Sequence, residues 1–84
     1  MKVTLKLFAT LGVHLPPAAR REGQAEVEAP DGTTVADMIG LQRLPLHLCA
    51  LVLVNGRFVG PRELGDQVLQ DGDVLAIWPP VGGG

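Results

Sequence analysis

The dipeptide Asn55-Gly56 lies between Leu51-Val52-Leu53-Val54 and Arg57-Phe58-Val59, and it constrains this chain more than any other feature. Asn-Gly accepts the positive φ that both central positions of a type I′ turn require, so the segment reads as a tight β-hairpin. The N-terminus adds a strand. Over Val3–Ala9, Val3, Leu5 and Leu7 face one way and Thr4, Lys6 and Phe8 the other, the period-two pattern of a half-buried strand. Thr10–Gly23 holds two prolines and an Arg-Arg-Glu cluster and reads as a loop. Gln24–Ala29 is a weaker strand that pairs with the first as a wide hairpin, and Pro30–Gly32 is a turn.

The period then changes. Val35, Met38, Ile39 and Gln42 fall on one helical face, behind a Thr34-x-x-Asp37 capping-box variant. Gly40 weakens a helix interior by about 1 kcal/mol, which points to one short helix over Val35–Gln42. Pro45 keeps it from running on. Pro61 to Leu69 suggests a turn or a single helical turn, and Asp71-Gly72-Asp73 turns the chain again. Val74–Trp78 is the last strand, ended by Pro79-Pro80, which has no N–H to donate. The order strand, strand, helix, strand, strand, strand predicts an α+β domain, with one helix on one face of a mixed sheet.

Composition narrows the function. At 84 residues the chain has room for one domain and no deep enclosed site. Net charge is −2, and basic residues cluster only at Arg20-Arg21, which argues against nucleic acid as a partner. The apolar-rich run 44–54 is too short to span a bilayer and holds Pro45 and His47. The alternating N-terminus lacks the apolar core of a signal peptide, so a cytoplasmic protein with no membrane partner is expected. Cys49 is the one cysteine, which excludes an internal disulfide; it reads as a buried, inert hydrophobe. His14 and His47 have no acidic neighbour at ligand spacing and read as surface or rim residues, so no metal site can be named. No nucleophile–base pair can be assembled either, and the chain is not expected to be an enzyme.

Four stretches, LFATL, DGTTVADMI, LVLVNGRFV and LQDGDVLAIWPPVGGG, carry a family resemblance over essentially the full length. The chain resembles the MoaD/ThiS sulfur carriers, bacterial ubiquitin-like proteins. The DGD turn, strand, Pro-Pro and terminal Gly-Gly in combination form its specific part. The resemblance implies a β-grasp (ubiquitin-like) domain over residues 1–80, first and last strands parallel at the centre, and a flexible glycine tail over 81–84. Phe8-Ala9, the long Thr10–Gly23 segment and Pro79-Pro80 match the small subunit of molybdopterin synthase. VNGRFVGPRELGDQVLQDGD is similar to the thiazole-synthesis carrier. Tail and loop favour the molybdopterin branch, although Gly12-Val13 stands where that branch often has Arg-Glu.

In such carriers an E1-like adenylating enzyme uses ATP to activate the C-terminal carboxylate, here that of Gly84. A persulfide donor converts it to a thiocarboxylate. The sulfur then passes to an acceptor, on the molybdopterin branch a pterin precursor held by the large subunit. The carrier itself binds no cofactor. Val81, Gly82, Gly83 and Gly84 would thread a partner's tunnel, since glycine allows close backbone approach. Trp78 and Phe8 are expected on the outer face of adjacent strands, and with Pro79 and Pro80 they form the expected partner interface. The alternative for Trp78 is a plug at the sheet edge. The free protein is expected to be a monomer. Two further readings share the fold: a ubiquitin-like binding module without chemistry, and a modifier joined to proteins through the activated glycine.

Overall fold

The computed structural model describes residues 1–81. Five strands and one α-helix account for its regular structure: β1 Lys2–Leu7, β2 Gln24–Glu28, α1 Val35–Leu41, β3 Leu51–Val54, β4 Arg57–Phe58 and β5 Val74–Trp78. The sheet order is β2-β1-β5-β3-β4. β1 and β5 lie parallel at the centre, with Leu5 beside Leu75 and Leu7 beside Ile77. The other pairs, β1–β2, β3–β5 and β3–β4, are antiparallel. One helix against a mixed sheet with parallel first and last strands is the β-grasp fold.

Alternation decides which face is buried. Val3, Leu5 and Leu7 of β1, Leu75 and Ile77 of β5, and Val52 and Val54 of β3 pack in one cluster with Val35, Met38 and Ile39 of α1. The helix starts as expected. Thr34 accepts a hydrogen bond from the Asp37 N–H at 3.1 Å, and the Asp37 carboxylate accepts from the Thr34 N–H at 3.2 Å. Gly40 does not end the helix. The stop comes from Arg43, at φ 57°, in a Schellman arrangement. There the Leu44 N–H donates to the Ile39 carbonyl and the Arg43 N–H to the Gly40 carbonyl, both at 3.0 Å.

The segment expected as a plain loop is more ordered than its prolines suggest. β1 ends at Leu7, and Ala9, at φ 50°, turns the chain into 3-10 turns at Ala9–His14 and Pro17–Ala19. These turns carry Leu11 and Leu15 into the core, 0% and 2% exposed. At the hairpin, Asn55 and Gly56 take φ 52° and 81°, both positive as the turn type demands. No helix among the described residues is long and apolar enough to cross a membrane.

Candidate functional site

The sheet has a second face, away from the helix, and its register follows from strand pairing. Directly paired residues on neighbouring strands share a face. Trp78 pairs with Leu51, Ala76 with both Lys6 and Leu53, and Leu53 with Phe58. Phe8 lies one residue beyond β1, but its N–H still donates to the Ile77 carbonyl at 3.1 Å. This continues the β1–β5 ladder and brings Phe8 beside Trp78. The two rings stack with centroids 4.0 Å apart and planes inclined by 3°.

The outer face therefore holds an apolar strip running from Phe8 through Trp78 to Leu51, with Ala76, Leu53 and Phe58 in the next row. Phe58 is 61% exposed and Leu51 39%. Phe8 and Trp78 are half-buried, each covering part of the other. Exposed apolar side chains that adjoin on one face are the kind of surface on which another molecule can dock. The expectation that Phe8 and Trp78 share the outer face holds. Trp78 is also on a central strand, flanked by β1 and β3, so it does not plug an edge.

Leu51, Leu53 and Phe58 were not singled out from sequence. Their signal is the hairpin itself: fixing the Asn55-Gly56 turn puts Leu53 opposite Phe58. Their position beside Trp78 needs the β3–β5 pairing, which is non-local.

The chain leaves the sheet at one end of this strip. The Ala50 N–H donates to the Trp78 carbonyl at 2.9 Å, beyond the last strand pair. Pro79 is half-buried, Pro80 exposed, and Val81 87% exposed. The tail expectations for Gly82, Gly83 and Gly84 lie outside the described residues.

The remaining reactive groups are dispersed. Among the described residues no group of three His, Cys, Asp or Glu side chains could hold a metal ion. His14 is half-buried and His47 exposed. Cys49 is half-buried rather than buried, packed against the core, and its thiol donates to the Pro45 carbonyl at 3.5 Å. Desolvation by burial pushes its pKa above that of an ordinary thiol.

Comparison with known proteins agrees with this fold. The ThiS family model matches residues 15–84. Curated protein sequences gave no match. Among solved structures, small archaeal modifier protein 1 of Haloferax volcanii is similar at 26% identity and TM-score 0.68, with both chains covered in full. A Pyrococcus furiosus protein assigned as subunit 1 of the molybdopterin converting factor is similar at 28% identity and TM-score 0.61, over 95% of this chain and 98% of that one. In the complex of subunits 1 and 2 of the molybdopterin-converting factor of Helicobacter pylori, the matching chain is similar over the full length of both, with TM-score 0.63. At 20% identity this last likeness speaks to the fold.

Proposed function

The chain belongs to the ThiS family, and from that premise we propose that it is a sulfur carrier acting through the carboxylate of Gly84. The observation that carries this reading is the exposed strip around the Phe8–Trp78 stack, located where β5 hands over to Pro79-Pro80-Val81-Gly82-Gly83-Gly84. A docking face beside a side-chain-poor stalk suits a protein whose end must reach into another protein's active site.

The chemistry belongs to the partners. A carboxylate oxygen of Gly84 attacks the α-phosphorus of ATP, pyrophosphate leaves, and an acyl-adenylate forms on an E1-like enzyme. The terminal sulfur of a persulfide donor then attacks the acyl carbon and AMP leaves. A thiol cleaves the resulting S–S bond and frees the thiocarboxylate. Adenylation supplies the leaving group that a bare carboxylate lacks, dividing one difficult substitution into easier ones. The carrier contributes no general base and holds no cofactor; ATP is the activating enzyme's substrate. Its docked face offsets the cost of ordering the tail, about 1–2 kcal/mol per residue.

The favoured acceptor pathway is molybdopterin (dithiolene) formation, with the large synthase subunit as the second partner. The long Thr10–Gly23 segment, Pro79-Pro80 and the 28% identical Pyrococcus protein support it. The Helicobacter complex supplies the precedent for a two-subunit assembly. The likeness to an archaeal modifier favours a second reading, conjugation. There an amine of a target protein attacks the same acyl-adenylate in place of sulfur.

The test uses two variants, one lacking Gly84 and one with an alanine added after it. Either change displaces the carboxylate by up to about 3.5 Å, the reach of one extended residue. Such misplacement is enough to lose orders of magnitude in rate. With ATP and the adenylating enzyme of the same organism, pyrophosphate release and thiocarboxylate formation, followed by intact mass, should both collapse while the melting curve stays unchanged. Undiminished sulfur transfer by both variants would leave the tail end with no chemical role and overturn this reading in favour of a binding module. A wild-type product bearing a protein adduct instead of sulfur would select conjugation.

A further inference from the structure

The cleft beside Phe8 carries charge that no ion pair among the described residues uses. Its volume is about 420 Å³, and its lining includes Lys6, Phe8, Gly12, Arg20, Arg21 and Glu22. Three of the chain's seven lysines and arginines converge there, in a protein of net charge −2. Glu22 is the one acidic side chain in the lining, leaving the cleft with an excess of positive charge. Yet the only ion pair among the described residues joins the Met1 amine to Asp31, elsewhere on the molecule.

The basic side chains are not all loose. The Arg20 Nε–H donates to the Leu15 carbonyl at 3.1 Å, and Leu15 is itself locked in the core. The turn that carries Arg20 and Arg21 is tied to the sheet by the Leu7 N–H donating to the Gly23 carbonyl at 3.0 Å. Among the described residues, the terminal nitrogens of the Arg20 guanidinium make no hydrogen bond. A guanidinium held by Nε with its terminal N–H groups free is preorganised to grip a carboxylate.

Phe8 belongs to both surfaces. It lines the cleft and stacks on Trp78 of the apolar strip. We propose that this cleft is the charged end of the docking face, and that it receives an aspartate or glutamate side chain of the protein that docks on the apolar strip. The proposal rests on the sulfur-carrier reading, in which the adenylating enzyme is such a partner. Gly12 adds no charge of its own to the lining; Arg20 and Arg21 supply it from farther along the same segment.

The adenylating enzyme of the same organism is the probe, titrated calorimetrically at about 50 and about 300 mM salt, either side of physiological ionic strength. Arg20→Gln/Arg21→Gln should bind roughly tenfold more weakly at the lower salt, and its affinity should vary less with salt than the wild type's. Trp78→Ala should lose affinity but keep the wild-type salt response. Arg21→Gln alone, which leaves the Arg20–Leu15 bond intact, should show the same change in smaller measure even if the double variant loosens the turn. Wild-type affinity and salt response in both arginine variants would overturn the proposal while leaving the carrier reading in place. Saturation of the Gly12 and Arg21 amide shifts by submillimolar inorganic phosphate, in the free protein, would also overturn it in favour of a small-anion site. Failure of the wild type itself to bind the enzyme would remove the carrier reading, and this proposal with it.

Discussion

Asn55 sits at φ 52°, and its carboxamide is used at both ends. Its Nδ2 donates to Asp73 at 2.9 Å and its Oδ1 accepts from the Val74 N–H at 2.8 Å. The other Asp73 oxygen accepts from the Gln70 N–H at 2.7 Å. The turn residue demanded by the hairpin thus also clamps β3 to the start of β5. Asn55→Ala removes both bonds and puts a side chain without local hydrogen bonding at positive φ. A loss of about 2 kcal/mol is expected in urea unfolding. Cys49 gives a pH test. Burial raises its folded pKa above the unfolded one, so the native state holds the thiol proton more tightly. Its contribution to stability is present in full below the unfolded pKa and is lost as pH rises through the folded one. Native protein should therefore react with iodoacetamide more slowly than urea-unfolded protein at mildly alkaline pH. Equal rates would mean that Cys49 is no more shielded than a free cysteine.

Among the elements, α1 shows what local sequence can and cannot tell. Its start was legible because Thr34 and Asp37 satisfy one another at a fixed spacing. Its end was legible to within one residue, Gln42 against Leu41, but the cause was not, since Arg43 rather than a glycine adopts the left-handed conformation. That substitution is tolerated because Leu44 and Ile39, at the ends of the longer Schellman bond, are both in the core. Arg43→Gly should stabilise the protein by about 0.5–1 kcal/mol by relieving the left-handed strain, read as a raised urea midpoint. β1, β5 and the β3–β4 hairpin were equally legible, since their alternation and turn chemistry are local. The Thr10–Gly23 segment was hidden by its prolines. Leu11 and Leu15, four residues apart, were its one internal sign of a buried face, in a stretch too irregular to fit helix or strand. Leu11→Ala should therefore cost about 3 kcal/mol, as a core truncation does, where a true surface loop would lose almost nothing. The outer strip stood halfway: Phe8 and Trp78 follow from alternation and the β1–β5 pairing, whereas Leu51, Leu53 and Phe58 needed the order of the whole sheet.

For the molecule as a whole, the sheet divides its labour between two faces. One holds the fold together against α1. The other is an apolar strip next to a cationic cleft, at the end from which the chain departs toward Gly84. The division can be tested within a single strand, because Ile77 and Trp78 are adjacent in β5 and point to opposite faces. Ile77 is 0% exposed and packs in the core cluster. Ile77→Ala should cost about 3 kcal/mol in stability, combining lost transfer energy with a residual cavity. Whatever fraction remains folded should bind the adenylating enzyme normally. Trp78→Ala removes the partner of the Phe8 stack, worth about 1 kcal/mol beyond area burial. Its cooperative melt should persist, while affinity for the enzyme falls by roughly tenfold or more, as for an aromatic residue at the centre of an interface. Paired unfolding and binding measurements on the two variants separate the effects. Should Trp78→Ala unfold the protein while Ile77→Ala spares it, the faces would be reversed. If both bind the enzyme as the wild type does, the outer strip is not where the enzyme docks.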